Sequence, residues 1–386
     1  MSNNLFKKSL SALKALLTRK VHMECDRIPF EFEQVPLRKI LNWIFVETAC
    51  VFRPERPWGF PTHLQIEPTN LCNLRCALCY VTKGLSRAQG HMDLDLFKKL
   101  IDEIGDYVFL ILFWGWGEPF LNPSAYDMIA CANRRGIKIV SSTNGHIFAE
   151  DDHAEKLVQS GLDALIFAVD GISQETYKQY RKQGDLAKVI KGLKKVASAR
   201  DRLQSTTPMI NLRFIVMKHN EHEIPQLKAF AESLGADIVT LKTLNPHDSL
   251  IMTRKTGHEP EFLPQNPKFQ RFRLDPISNL PIRRKHNPCK DLWNYSSMNW
   301  DGRMVMCCED YSGKTILGDL KTETFKDVWF GYNYRELRRK FRNDYKALSP
   351  CSQCSSAFEG GALGTELIAD FHFLNVRKRF GSELKI

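Results

Sequence analysis

The stretch Leu64-Gln65-Ile66-Glu67-Pro68-Thr69 runs directly into Asn70-Leu71-Cys72-Asn73-Leu74-Arg75-Cys76-Ala77-Leu78-Cys79-Tyr80. A short β-rich run thus ends in a cysteine-laden turn, and the pairing of strand with polar turn recurs along the chain. Further runs at Val108 to Gly115, Ile137 to Ser142, Ala164 to Asp170, Ile210 to Met217 and Asp237 to Leu241 read as strands. Between them, helical segments start near Asp93, Pro123, Asp151, Ser173, Asp185 and Glu221. Six consecutive βα units, with strands apolar enough to be buried on both faces, predict a parallel sheet covered by helices.

Polar and cysteine residues gather where such a sheet collects its catalytic loops. Cys72 to Cys79 follow the first strand, Gly115 to Pro119 the second, Asn144 and Gly145 the third, and Asp170 and Gly171 the fourth. Each group lies at the C-terminal end of its strand. The spacing Cys-x3-Cys-x2-Cys presents three soft thiolates on one tight loop. Three thiolates cannot close a four-iron cluster, so one iron would stay open to a ligand. A zinc ion borrowing a distant fourth ligand remains an alternative on spacing alone.

Composition narrows the class. The 386 residues are 43% apolar and 26% charged, which suits a folded chain of one large domain or two ordinary ones. The longest uncharged apolar run, Val108 to Trp116, spans nine residues, too few to cross a bilayer. The formal charge of +11 falls once thiolates and metal are counted. Nucleic acid is not the expected partner; a small-molecule substrate is, with an anionic or carrier-linked one among the options, and solvated helix faces account for most of the basic runs. Lys7, Lys8, Lys14, Arg19 and Lys20, with no acid in the first twenty residues, alternate with leucines at helical spacing. That pattern suits a basic surface helix, with weak membrane-surface contact as the alternative. Eleven cysteines are an odd number; three lie within eight residues and four others form a second group near the C-terminus, which points to metal binding in a reducing, cytoplasmic setting rather than to disulfides.

The second group comprises Cys289, Cys307, Cys351 and Cys354, with twelve residues between Cys289 and Gly302 and with Cys308 beside Cys307. Four thiolates so spaced could hold zinc or close a whole cluster. Before them, Pro246, Pro260, Pro264, Pro267, Pro276, Pro281 and Pro288 punctuate a connector without clear periodicity.

The sequence from Cys72 to Tyr80 resembles the signature of the radical S-adenosylmethionine superfamily. The resemblance implies an open [4Fe–4S] cluster on Cys72, Cys76 and Cys79, and a cofactor site that includes Tyr80. The family's Gly-Gly-Glu-Pro loop reads here Gly115-Trp116-Gly117-Glu118-Pro119, with Trp116 in place of one glycine and Glu118 expected to meet the methionine ammonium. Ser142, Asn144 and Asp170 would line the same cofactor, and Arg213 would clamp its carboxylate if it points inward. The second group is similar to the SPASM extension in its shortened, twitch form, which implies one auxiliary [4Fe–4S] cluster on Cys289, Cys307, Cys351 and Cys354. Two clusters per chain and S-adenosylmethionine are thus the expected cofactors, with flavodoxin or ferredoxin as reductant.

The expected architecture is α/β: a partial (β/α)6 TIM-like barrel plus a small C-terminal iron–sulfur cluster module. Expected boundaries are a mostly helical segment at 1–60, the barrel at 61–245, a connector at 246–288, and the cluster module with its tail at 289–386. The expected reaction is two-electron oxidation of a sugar- or cyclitol-like small molecule, with Glu309 and Asp310 taking the proton. Cys308 as a hydrogen-atom donor supports an alternative, epimerisation; peptide modification and a non-enzymatic zinc scaffold are the others.

Overall fold

The structure is a computed structural model; it describes residues 2–150, 152–245, 262–278, 280–360 and 365–370. The chain begins with helix α1 (Ser2–Thr18), a hairpin of β1 (Val21–Cys25) and β2 (Ile28–Phe32), and helix α2 (Leu37–Phe52). The six expected strands follow as β3 (His63–Ile66), β4 (Leu110–Phe113), β5 (Lys138–Thr143), β6 (Ala164–Ala168), β7 (Met209–Val216) and β8 (Ile238–Thr243). They pair in that order and all in parallel. The helices between them include α3 (Tyr80–Lys83), α4 (Leu94–Ile104), α5 (Ala125–Arg134), α6 (His153–Gln159), α7 (Gln174–Tyr180), α8 (Leu186–Arg202) and α9 (Leu227–Leu234).

Local chemistry explains the helix starts. The side chains of Asp93, Ser173 and Asp185 each accept from backbone N–H groups of the first turn of α4, α7 and α8. Each such cap stabilises its helix by about 1 kcal/mol. The expected start at Asp151 lies outside the described residues. Strand residues that alternate outward, among them Ile66, Ile111, Phe113, Ile139, Phe167, Leu212 and Phe214, pack on Phe97, Ile101, Met128, Leu157, Leu193 and Leu227 of the helices. Inward-facing residues such as Leu110, Val140, Ala164 and Ile166 pack instead on Val21, Met23, Ile28, Phe30 and Phe32. The N-terminal hairpin therefore plugs one end of the barrel. Its turn residues Asp26 and Arg27 both hold positive φ, as a tight hairpin turn requires.

The sheet continues beyond the barrel to ten strands. β9 (Tyr295–Met298) runs parallel to β3, β10 (Arg303–Val305) and β11 (Ile316–Asp319) fold back antiparallel, and β12 (Thr365–Asp370) closes antiparallel on β8. Helices Phe325–Phe330 and Tyr332–Asp344 cover the β9 end, where Trp293, Trp329, Tyr334 and Arg338 are fully buried. Of the proline-rich connector at 246–288, residues 246–261 and 279 lie outside the described residues; the rest holds a short turn at Pro267–Phe269 and isolated bridges from Leu274 to Pro281 and from Arg283 to Phe358. No helix of the described residues is long and apolar enough to cross a membrane.

Candidate active site

The loop after β3 is pinned at several points. Arg75 and Ala77 donate backbone N–H groups to the carbonyls of Lys182 and Tyr180 (3.1 and 2.9 Å). Leu74 N–H donates to Cys72 Sγ (3.4 Å), and Asn144 Nδ2 donates to Asn73 Oδ1 (2.7 Å) and toward Cys72 Sγ (3.9 Å). Gly117 lies so close to this loop that a Cβ there would sit 2.3 Å from the Thr69 carbonyl. That approach admits only glycine, and it lets Glu118 N–H donate to the Leu71 carbonyl (2.8 Å).

Glu118 is buried. One carboxylate oxygen accepts from Thr143 Oγ1 (2.8 Å) and the other from Asn144 N–H (2.7 Å). Burial pushes its carboxyl up to about 7, against those hydrogen bonds. A nearby cation would restore the ionised form. Pro119 is buried and opens a short turn behind Glu118, and Ser142 is half-buried on β5.

Asp170 is fully buried, and Arg181 holds it. Arg181 Nε and Nη2 both lie 2.6 Å from Asp170 Oδ2, while Ile215 N–H donates to Oδ1 (2.8 Å). Arg181 Nη1 also reaches Cys76 Sγ (3.7 Å). Asp170 therefore acts on the cysteine loop through a cation that the sequence did not flag. Arg213 faces the barrel interior, as one expectation allowed, but its guanidinium is committed to Asp26 of the hairpin turn (2.5 Å). Lys242 and Thr365 Oγ1 meet the same carboxylate. Burial opposes ionisation of Asp26, but Arg213 and Lys242 outweigh it and hold the carboxyl well below its usual range. Arg213 thus anchors the plug rather than standing free for a carboxylate.

The second cysteine group approaches the first through aromatic residues. Tyr80 stacks on Tyr311 with ring centroids 3.4 Å apart, and Trp116 meets both rings edge-on. Trp116 Nε1 also donates to the Cys308 carbonyl (3.3 Å). Beneath them Glu67 accepts from Arg87 Nη1 and Nη2 (2.6 and 2.5 Å), Trp116 N–H (3.1 Å) and Trp300 N–H (3.4 Å). Arg87 Nε donates to the Tyr311 carbonyl (2.8 Å). Glu67 and Arg87 escaped the sequence reading because only the fold sets them against each other, 20 residues apart, and against Trp300 and Tyr311, 233 and 224 residues away along the chain.

Cys289, Cys307, Cys308, Cys351 and Cys354 lie within electrostatic reach of one another, and none forms a disulfide. The Cys308 thiol meets the Tyr295 hydroxyl, which itself donates to Gln65 Oε1, and also feels Cys354; Cys307 feels Cys308 and Cys351. Asp310 accepts from Lys314 and Thr315 N–H with its two carboxylate oxygens (2.9 and 2.8 Å), which closes the turn around Gly313. Glu309 and Asp310 both line a cleft of about 160 Å³ together with Tyr80, Asn245, Tyr311 and Cys354.

The donor sets suit metal clusters. Burial pushes the Cys72 and Cys351 thiols up to about 12 and raises Cys76, Cys289, Cys307 and Cys354 as well. Only bound metal would hold so many buried sulfurs as thiolates. Among the described residues, no three His, Cys, Asp or Glu side chains converge tightly enough for a single ion.

Comparison with known proteins defines the class. Residues 66–231 match the radical SAM superfamily and residues 289–355 the SPASM iron–sulfur cluster-binding domain. The chain belongs to the radical SAM superfamily and is an enzyme with a SPASM domain, whose cofactors are [4Fe–4S] clusters and S-adenosylmethionine. It is 29% identical over 76% of its length to the tungsten-containing aldehyde ferredoxin oxidoreductase cofactor-modifying protein of Pyrococcus furiosus, covering 87% of that protein. It is 24% identical to the PqqA peptide cyclase of Gluconobacter oxydans, over 76% of this chain and 82% of that one. Among solved structures, Streptococcus suis SuiB bound to precursor peptide SuiA shares the fold, with a TM-score of 0.57 at 14% identity, covering 93% of this chain and 84% of SuiB.

Proposed function

We propose that Cys72, Cys76 and Cys79 hold a [4Fe–4S] cluster with one iron open to S-adenosylmethionine, that Cys289, Cys307, Cys351 and Cys354 hold a second cluster, and that the enzyme oxidises its substrate by two electrons. The cleft carries this reading. Tyr80, which follows Cys79, and Glu309 and Cys354 of the second group line the same opening. When bound, the clusters and S-adenosylmethionine supply a carbon radical that removes a substrate hydrogen atom and an acceptor for the electron left behind.

The chain's own residues do the rest. The Tyr80 and Tyr311 rings wall the opening against water, and Trp116 packs edge-on against both. Glu309 takes the proton that the substrate loses with its second electron, so the balance is one hydrogen atom, one proton and one electron. Gly117, Glu118 and Asn144 flank the Cys72 loop, and Glu118 offers a carboxylate to the cofactor's ammonium. Pro119 and Ser142 shape the same wall, and Asp170 contributes by holding Arg181 against Cys76.

A second reading concerns the substrate. A small molecule fits the size of the cleft, and so does a single side chain of a peptide; two of the similar proteins are a peptide cyclase and one bound to a precursor peptide. Epimerisation is less well supported, because the described residues lining the cleft do not include Cys308 and its thiol pairs with Tyr295.

The test is anaerobic turnover in heavy water, with flavodoxin or ferredoxin as reductant and a panel of cyclitols, sugars and peptides. Oxidation predicts a product lighter by two hydrogens and free of solvent deuterium at the reacting carbon. Solvent deuterium there, lost on Cys308→Ala, would overturn the proposal.

A further inference from the structure

Of the twelve exposed large apolar residues among the described side chains, nine lie between Leu10 and Trp58. A monomeric protein rarely gathers exposed apolar surface this way without a use for it. On α2, Leu37, Leu41, Phe45 and Phe52 recur at spacings of four, four and seven, which at 100° per residue fall within one stripe. Ile40, Val46, Ala49 and Cys50 form the opposite, buried face. α1 repeats the arrangement: Ala15 is buried against the core, while Leu10, Leu13 and Leu17 face away from it, Leu17 at 75% exposure. The two helices touch, so both stripes turn outward from one layer. At the end of α2, Phe52 (66% exposed) meets Trp58 (50% exposed) with rings 5.9 Å apart.

Charge identifies the occupant. The first twenty residues carry five basic side chains and no acid. Lys14 and Arg56 are exposed around the apolar stripes, as are Lys20 and Arg38, which pair with Glu33 and Asp106. Apolar stripes with leucine, phenylalanine and tryptophan, bordered by lysine and arginine, are the composition of a helix pair that lies in the headgroup region of a bilayer. Helices of 17 and 16 residues with internal charges lie on such a surface rather than crossing it.

We propose that the outer face of α1 and α2 docks the enzyme on an anionic membrane surface. A protein partner would need a complementary acidic rim, whereas anionic headgroups supply the negative charge directly.

The experiment is vesicle flotation of the full-length, cluster-loaded protein. The probes are vesicles of phosphatidylcholine alone and of phosphatidylcholine with phosphatidylglycerol at three to one. The proposal expects the protein to float with the anionic vesicles about tenfold more than with the neutral ones, and to be released by high salt. Leu41→Ser, Phe45→Ser and Phe52→Ser together, all at exposed positions, should cut flotation about tenfold while iron content and the visible absorption spectrum stay unchanged. Lys14→Glu should weaken it without touching the apolar stripe. Equal or absent flotation with both vesicles, or undiminished flotation of the triple variant, would overturn the proposal. So would a wild-type dimer in light scattering that the triple variant converts to monomer, since a second copy would then cover this face.

Discussion

Arg181 grips Asp170 with two nitrogens, Nε and Nη2, each 2.6 Å from the same carboxylate oxygen, and both side chains lie behind the loop that carries Cys76. Burial works against the Arg181 charge, but Asp170 and Cys76 outweigh it and raise its pKa well above the ordinary value. The cation is therefore permanent and sits beside a thiol proposed to bind iron. Arg181→Ala would strand a fully buried carboxylate, and the expected cost is about 3–5 kcal/mol in denaturant unfolding. Arg181→Lys keeps the charge but loses the forked contact. Its cluster should still assemble, with a reduction potential lowered by some tens of millivolts in a potentiometric titration followed by electron paramagnetic resonance.

That pair also marks where sequence reading stopped. The alternation of strands and helices was legible because hydrophobic periodicity and caps such as Asp93 and Asp185 are local signals. Cys72, Cys76 and Cys79 were legible because their spacing is short. Arg181 was not, since nothing near it in sequence separates it from Lys178 or Lys182; only the fold sets it against Asp170 and Cys76. The hairpin Val21–Phe32 shows the same limit. The sequence predicts a mostly helical segment at 1–60, yet that segment holds this strand pair, whose place in the barrel depends on Asp26 meeting Arg213 across 187 residues of chain. The sequence leaves open whether Arg213 points inward or outward; it points inward, and its partner is the plug.

Glu118 should make cofactor binding depend on pH. Burial pushes its carboxyl from an ordinary value of 4.5 up to about 7 in the folded protein. With the folded pKa above the unfolded one, this group's stabilisation is fully present below about 4.5 and is lost as pH rises through about 7. The loss is roughly 3 kcal/mol by linkage. An ammonium paired with the ionised carboxylate offsets that loss. Thermal stabilisation by S-adenosylmethionine should therefore be larger at pH 8 than at pH 6. Glu118→Gln should flatten the difference and weaken binding at the higher pH.

Cys307 and Cys308 can be separated by counting metal. If the two clusters are as proposed, the reconstituted wild-type protein carries about eight irons per chain. Cys307→Ala should fall to about four, because removing one ligand opens the second cluster to loss. Cys308→Ala should keep about eight, since its thiol already has the Tyr295 hydroxyl as partner. The reverse pattern in iron analysis would exchange the two roles. Loss of iron in both variants would mean that the adjacent pair acts as a unit.

Trp116 stands where the resemblance to the Gly-Gly-Glu-Pro loop leads one to expect glycine, and its contacts account for what the ring does there. Its indole donates to the Cys308 carbonyl and sets its edge against Tyr80 and Tyr311, so one side chain touches both cysteine modules. Its backbone N–H meanwhile donates to Glu67, which also holds Trp300 of the second module. Trp116→Gly restores the family's loop and leaves that backbone contact in place. It removes the ring, at a cost of about 2–3 kcal/mol for a half-buried tryptophan. Reductive cleavage of S-adenosylmethionine without substrate should continue at a comparable rate, because Gly117, Glu118 and the Cys72 loop are untouched. Substrate oxidation should drop tenfold or more, because the wall between the two modules is open to water. The measurement is the ratio of 5′-deoxyadenosine to oxidised product, which should rise sharply in the variant; an unchanged ratio would mean that the ring serves packing alone.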